Sequence, residues 1–172
     1  FDLRINKIIE DNYKNPSFIT FYIDDIRKIV KKLNKKYDII FYDGFAPHKD
    51  SCLWSKELIF EVCALLKQQG LIVTYNHSKP VLGAFFEAGM FIGKTIVDNR
   101  SIGTVATKDK TLLDYPLSDY ELGMLKTKSA ITYKDKNLNL THKEIVNNRK
   151  KEVDQSKRQT LSSYIKKNMA KN

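Results

Sequence analysis

The stretch YDIIFYDGFAPHKDSCLW, residues 37–54, holds the pattern that decides the fold. It opens with a nearly unbroken apolar run, which is typical of a strand covered on both faces of a parallel sheet. The run ends at Asp43, and Gly44 and Pro47 then turn the chain before Trp54, its only tryptophan. Because ligands of open parallel sheets bind outside the carboxyl ends of the strands, Asp43 stands where a ligand is expected.

Strands and helices alternate on both sides of this stretch. Helical spacing of apolar residues predicts helices over residues 3–13, 24–34, 55–70 and 79–89, with Ser55 as an N-cap and Gly70 as a stop. Short β-branched and aromatic runs predict strands over residues 18–23, 37–43, 71–76 and 90–96, and residues 102–107 complete a hairpin. This alternation predicts an α/β fold, a parallel sheet with helices on both faces.

The C-terminal third has a different composition. We expect a partial α/β domain over residues 1–107 and a basic, partly helical extension over residues 108–172, where Thr141 and Glu144 form a capping box. Residues 141–172 hold nine Lys or Arg and three acids, in a chain of formal charge +10. This charge suits a polyanion. Its basic side chains form either a solvated helix face or a phosphate-binding surface, and the candidates for phosphate contact are Lys150, Lys151, Lys157 and Arg158.

Polar residues follow three of the predicted strands. Asp24 and Asp25 follow the first, Asp43 the second, and Asn76, His77 and Ser78 the third. Together they can line one crevice at the carboxyl edge of the sheet. For Asp43 the residues alone leave two roles open, a turn cap and a ligand-binding carboxylate. Trp54 is either a core residue or a wall against which a base stacks.

Several classes of site lack support in the sequence. The seven glycines never form GxGxxG or GxG, so no glycine-rich turn is present to cradle a cofactor. Cys52 and Cys63 form neither a zinc pattern nor a disulfide framework, and we predict no metal site. No apolar run is long enough for a membrane span. We expect a reducing compartment, the cytoplasm or an organellar stroma or matrix.

These motifs resemble a known family. YDIIFYDGFAPHKDSCLW, then GLIVTYNHS, then EAGM with RSIGTVAT, is similar to the methyltransferase domain of the tRNA 5-methylaminomethyl-2-thiouridine biosynthesis protein MnmC. The resemblance is strongest to relatives of that domain that lack the fused oxidase, and it extends into the C-terminal third. It implies a class I, Rossmann-like fold that uses S-adenosylmethionine to methylate the aminomethyl group on the wobble uridine of tRNA.

The resemblance also implies residue roles. Asp43 corresponds to the catalytic aspartate that engages the substrate amine. Asp25, with Asp24, Phe45 and Tyr75, would contact the cofactor. The residues expected to contact substrate or tRNA are Pro47, Trp54, Arg100 and the four basic tail residues.

One departure from the family is large. The family's glycine-rich first turn, and the acidic residue that ends its second strand, have no counterpart here, and Asp24 replaces the usual glycine. We therefore expect an N-terminally truncated sheet, either the C-terminal part of a longer protein or the product of a decayed gene, with weak or no binding of S-adenosylmethionine on its own. The missing half is a possible partner, on a longer or separate chain. The alternatives to a methyltransferase are a non-catalytic, basic tRNA-binding module and a purely structural α/β protein.

Overall fold

A computed structural model describes residues 20–169 of the chain. These residues form a four-stranded sheet with helices packed against it. The strands are β1 (Tyr37–Phe41), β2 (Leu66–Thr74), β3 (Phe91–Val97) and β4 (Arg100–Thr107). The helices are α1 (Ile26–Ile29), α2 (Lys56–Ala64), α3 (Lys79–Glu87), α4 (Asp119–Met124), α5 (His142–Gln155) and α6 (Leu161–Met169).

The sheet has the strand order β1-β2-β4-β3. The pair β1 and β2 is parallel, whereas β4 lies between β2 and β3 and is antiparallel to both. The predicted α/β class and the predicted hairpin are confirmed. The prediction of a parallel sheet holds for the pair of β1 and β2, and the other two pairs are antiparallel. The reason is the hairpin, which returns β4 alongside β3 and inserts it next to β2.

A tight turn closes the predicted hairpin of β3 and β4. Asp98 and Asn99 lie between the strands with φ angles of 48° and 59°. Two successive residues in this region suit the two-residue turns whose twist matches a hairpin, and Asp and Asn tolerate it better than most residues. The turn places Arg100 at the start of β4.

The core lies on one face of the sheet. Trp54, Leu58 and Phe85 from the helical layer pack with Ile72 of β2, and all four are fully buried. On the opposite face the two apolar residues of β1, Ile39 and Phe41, are 54% and 77% exposed. Side chains alternate between faces along a strand, so β1 turns Ile40 toward the core and these two away from it. Helices on both faces were predicted, but within residues 20–169 this part of β1 is uncovered.

The segment around Gly70 differs from the prediction of a helix over residues 55–70. Helix α2 begins after Ser55 as predicted, with the Ser55 hydroxyl accepting from the Leu58 amide, but it ends at Ala64. Strand β2 begins at Leu66, which is 1% exposed and pairs with Tyr37. Pairing and burial at Leu66 outweigh the helical pattern of this short run, so Gly70 lies inside a strand rather than ending a helix.

The N-terminal predictions fall partly outside the described residues. The helix over residues 3–13 and the first part of the strand over residues 18–23 lie there. Residues 20–23 form no strand in the structure, and their side chains are exposed. The prediction of a helix after Asp25 is confirmed, although regular α-helix stops at Ile29 and continues as a 3-10 turn to Lys32.

The C-terminal segment packs on the helical layer. Leu125, Ala130, Ile131 and Ile145 are each no more than 4% exposed. A side chain at Gly83 of α3 would collide with the carbonyl oxygen of Ala130, so the absence of a Cβ allows this close approach. Residues 125–145 therefore contribute to the core, while the predicted boundary near residue 107 stays a prediction.

Candidate functional site

The loop after β1 presents Asp43 to solvent. Asp43 is exposed and lies two residues beyond the end of β1, at the carboxyl edge of the sheet. The next residue, Gly44, accepts a hydrogen bond through its carbonyl oxygen from the Tyr75 hydroxyl at 2.8 Å. Tyr75 directly follows β2, so this contact joins the loops that follow the two parallel strands. The loops after β1 and β2 therefore meet, while a crevice lined by Asp43 with Asn76, His77 and Ser78 stays a prediction.

Trp54 anchors the far end of this loop. Its side chain is fully buried, and its ring meets Tyr42 edge to face at a centroid distance of 5.2 Å and Tyr75 at 6.3 Å. Its indole Nε1–H donates to the carbonyl oxygen of Phe45 at 2.5 Å. The buried ring offers no free face to a base, so the structure supports the core alternative for Trp54.

Pro47 is also buried. It was expected to contact substrate or tRNA. Because it is buried, it stabilises the turn instead. The aromatic rings that face solvent beside Asp43 belong to Phe45, 76% exposed, and Tyr75, 44% exposed. Both side chains lie in the loops that follow the parallel strands, and their predicted contact with the cofactor stays a prediction.

Asp25, another predicted cofactor residue, is committed to internal contacts. It caps α1 by accepting from the Arg27 amide at 2.9 Å, and its carboxylate also accepts from the Arg27 guanidinium at 2.7 Å. The hydrogen bonds from Arg27 lower the pKa of Asp25 below its usual 3.8. About a third of the Asp25 side chain stays exposed, so its carboxylate can still meet a ligand from the solvent side.

Arg27 links this helix start to the C-terminal segment. Its Nη1 donates to Asp135 at 2.9 Å and to the Leu140 carbonyl oxygen at 2.8 Å. Asp135 is fully buried and also accepts from the amides of Asn139 and Leu140, so both members of this ion pair have further hydrogen bonds. The Cys52 thiol donates to the same Leu140 oxygen at 3.6 Å, which brings the Asp43 loop to this cluster.

Sequence reasoning missed these linking residues. Arg27 lies two positions after Asp25, but nothing near it in sequence shows that its partner is Asp135. A contact over 108 positions leaves no local periodicity or spacing to detect. An alignment in which both positions change together is the kind of signal that reveals such a pair.

The remaining predicted residues lie on the surface. Asp24 accepts from the Asp25 amide at 2.8 Å and pairs with Lys28 at 3.3 Å, and the first of these bonds is the main cause of its lowered pKa. Arg100 is exposed at the start of β4. The basic residues of the tail are also exposed, and no described contact joins them to Asp43: Lys150, Lys151, Lys157 and Arg158.

Other reactive groups show structural roles. Burial raises the pKa of Cys52 to about 11 and that of Cys63 to about 12, so neither thiol is activated as a nucleophile. His48 and His77 are exposed in loops.

In the described part of the chain, no three His, Cys, Asp or Glu side chains are grouped to hold a metal ion, and no helix has the length and apolarity to cross a membrane.

The described residues thus form an α/β domain with an exposed aspartate and two exposed aromatic side chains in the loops at the carboxyl edge of its sheet. The chain belongs to the S-adenosyl-L-methionine-dependent methyltransferase family whose model matches residues 4–109, more than half of its length. Both the predicted family and the predicted fold class are thereby confirmed.

The chain is similar to known proteins of this family. The chain resembles the crystal structure of MnmC2 from Aquifex aeolicus, with a TM-score of 0.70 and 26% identity, over 77% of this chain and 44% of that one. It is 34% identical over 83 residues to the bifunctional tRNA 5-methylaminomethyl-2-thiouridine biosynthesis protein MnmC of Campylobacter jejuni, over 48% of this chain and 13% of that protein.

A third relative matches nearly all of the chain. The protein MJ0670 of Methanocaldococcus jannaschii is 24% identical over 159 residues, which are 91% of this chain and 45% of that protein. The chain therefore spans less than half the length of these three proteins.

The contacts of Asp25 generate a pH-dependent prediction. Since its pKa is lowered in the folded state, ionised Asp25 stabilises the fold above pH 3.8, and this contribution is lost as the pH falls through the lowered pKa. Asn also caps helices, so Asp25→Asn removes the charge and leaves the cap. We expect it to lower the free energy of unfolding at pH 7 by about 0.5–1 kcal/mol, after allowance for solvent screening.

Urea unfolding at a series of pH values measures this effect. The difference between wild type and Asp25→Asn should begin to shrink below pH 3.8 and should vanish only below the lowered pKa of the folded state. A difference that stays constant over the series would assign the effect to packing rather than to charge.

Proposed function

We propose that this chain forms the substrate side of an S-adenosylmethionine-dependent tRNA methyltransferase, which transfers a methyl group to the aminomethyl group on the wobble uridine. The observation that carries the proposal is the placement of Asp43, an exposed carboxylate two residues beyond β1, in loops that also expose the rings of Phe45 and Tyr75. Its support is the family of the chain together with the tRNA-modifying function in the names of its MnmC relatives.

Asp43 suits an amine substrate chemically. An aminomethyl group is protonated at neutral pH and must lose a proton before its nitrogen lone pair can attack a carbon. A carboxylate attracts the ammonium form, orients it, and accepts the proton as the new bond forms. Positioning of the amine by the loop would account for most of the rate in such a displacement.

The described residues fit one side of the cofactor. S-adenosylmethionine, when bound, supplies a methyl carbon activated by a sulfonium. Asp24 and the exposed oxygens of Asp25 could accept from its polar groups, and Phe45 and Tyr75 could contact its flat ring. Nothing in residues 20–169 forms a glycine-rich turn that would hold its charged tail, since none of their glycines falls in GxG.

Asp43→Asn tests the catalytic role. The amide keeps the size of the side chain and its surroundings but cannot accept the proton, so turnover should fall by about 100-fold or more, with little change in cofactor affinity. Methyl transfer to tRNA from radiolabelled cofactor measures it, with the chain assayed together with a polypeptide that carries the glycine-rich turn.

Asp38→Asn is the matched control. Asp38 lies near the start of β1, at the opposite end of the strand from Asp43, is exposed, and pairs with Lys67. Turnover should be unchanged in this variant. Full turnover in Asp43→Asn would remove Asp43 from the mechanism, whereas absence of methyl transfer in the wild type would favour the non-catalytic, basic RNA-binding module.

A second part of the proposal concerns the cofactor's other side. We infer that a polypeptide strand with the glycine-rich turn, on a longer or a separate chain, pairs with the outer edge of β1. Tyr42 donates its amide to Val73 of β2 at 2.8 Å, so alternation along the strand directs the Phe41 amide to the outer side. The exposed Phe41 and Ile39 side chains point to the face of the sheet, so other parts of that polypeptide would have to cover them.

Calorimetry with S-adenosylmethionine checks this inference. The 172-residue chain alone should bind with a Kd weaker than about 1 mM, because the charged tail of the cofactor has no partner. Addition of a polypeptide with the glycine-rich turn should restore micromolar affinity, and Phe41→Pro should prevent this gain by removing the outer amide. Micromolar binding by the chain alone would contradict the inference.

The third part of the proposal assigns the basic tail to tRNA phosphates. Lys150 and Lys151 are exposed on α5, and Lys157 and Arg158 lie exposed just beyond it. Cations that contact phosphates release counterions, so each contact steepens the fall of affinity with salt. Arg100, exposed at the hairpin, is a further candidate.

Replacement of all four tail cations by Gln tests this assignment. The slope of log K against log salt for tRNA binding should lose about 0.7–0.9 for each phosphate contact removed. The matched control replaces four exposed lysines at the opposite end of β1, Lys31, Lys32, Lys35 and Lys36, and changes the net charge equally. Equal slopes for both variants would mean that total charge, and not the tail, attracts the RNA.

A further inference from the structure

We propose that His142 is a positioning residue for the reaction: it holds the Asp43 loop in place from the C-terminal segment, through Ser51. The proposal rests on the proposed function for its catalytic consequence. Its structural part, that His142 fixes the loop, can be tested without any activity.

Two groups of Ser51 contact His142. The Ser51 amide donates to His142 Nδ1 at 2.9 Å, and the Ser51 hydroxyl lies 3.0 Å from the same nitrogen and donates to the His142 carbonyl oxygen at 3.3 Å. Because the amide can only donate, Nδ1 is an acceptor, and the ring carries its hydrogen on Nε2. Ser51 is fully buried, so its amide needs this partner: a buried donor left without one costs about 1–3 kcal/mol.

Ser51 begins the turn that ends at Trp54. Residues Ser51–Trp54 form one 3-10 turn, and Asp50 caps it by accepting from the Cys52 amide at 3.0 Å. Trp54 in turn donates to the Phe45 carbonyl oxygen, two residues after Asp43. A displacement of Ser51 therefore moves the anchor of the loop that carries the carboxylate.

The other side of the contact is held firmly. His142 is the first residue of α5, whose capping box joins Thr141 and Glu144. One turn further, Ile145 is fully buried, and Arg149 donates from Nε to the Ile131 carbonyl oxygen at 2.7 Å. A side chain on a helix fixed at several points can hold a loop more precisely than another loop could.

A separate contact brings the same segments together. Arg27 donates to the Leu140 carbonyl oxygen, which also accepts from the Cys52 thiol. Leu140 lies two positions before His142, and Cys52 one position after Ser51. Leu140 and His142 thus contact two successive residues of the turn, Cys52 and Ser51. Of these two contacts, the one from His142 satisfies a backbone amide.

Trp54 reports on this loop directly, because it is the chain's only tryptophan and is buried at the end of the turn. Quenching of its fluorescence by acrylamide measures its accessibility in the 172-residue chain itself. His142→Leu removes the acceptor, and we expect the quenching constant to rise at least two-fold. His142→Asn offers a side-chain oxygen near the position of Nδ1 and should keep quenching near the wild-type value.

Lys143→Leu is the control for the new apolar side chain. Lys143 is the next residue on α5 and is exposed, so its replacement should leave Trp54 as protected as in wild type. Equal quenching of His142→Leu and wild type, or equal increases in the Leu and Asn variants, would overturn the proposal. Circular dichroism of each variant verifies that the comparison is made on folded chains.

A kinetic measurement separates positioning from folding. In the assay with the glycine-rich polypeptide, His142→Leu should lower kcat for methyl transfer about 10-fold, with KM for S-adenosylmethionine within two-fold of wild type, since a small displacement of the reacting group lowers the rate. His142→Asn should recover most of kcat. A lower yield of folded protein, or a higher KM for S-adenosylmethionine, with kcat unchanged would contradict a positioning role. If wild type shows no methyl transfer, the proposed function fails, while the quenching result still decides the contact.

Discussion

The burial of Trp54 is the constraint on which the site depends. A ring of this size is fully enclosed between Tyr42, Tyr75 and the helical layer, and its one polar hydrogen is satisfied by the Phe45 carbonyl oxygen. Burial of the ring alone is worth several kcal/mol, and a buried indole N–H without a partner would offset part of that gain. The loop from Asp43 to Trp54 therefore has one favourable conformation, in which Asp43 is exposed and Pro47 is buried.

Charge organises the second half of the site. The guanidinium of Arg27 lies between Asp25, at the start of α1, and Asp135, in the C-terminal segment. Asp135 is fully buried, so its charge is tolerated only because Arg27 and two backbone amides surround it. The ion pair thereby joins the C-terminal segment to the start of α1, and Leu140 and His142 of the same segment meet the turn that leads to Trp54. A tail that looked separate by composition is thus part of what shapes the loop.

Much of the fold could be predicted from local pattern. The apolar run of β1, the Ser55 cap of α2, the capping box of α5 and the hairpin after Met90 all follow from residues within a few positions of each other. Where prediction failed, a distant contact decided the outcome. Residues 66–70 continue a helical pattern, yet they form the start of β2 because Leu66 pairs with Tyr37 and is buried. The insertion of β4 between β2 and β3 likewise depends on pairing that no local spacing records.

The sequence by itself determined that an aspartate ends an apolar strand, that a turn with glycine and proline follows, and that no glycine-rich cofactor turn is present. These are properties of neighbouring residues, and the resemblance to the methyltransferase family was carried by the same short motifs. Only the tertiary structure decided that Trp54 is buried rather than free to stack on a base, that Asp25 is held by Arg27, and that His142 reaches Ser51. Those facts depend on contacts between residues far apart in the chain, whose free energy arises only when burial removes their polar groups from water.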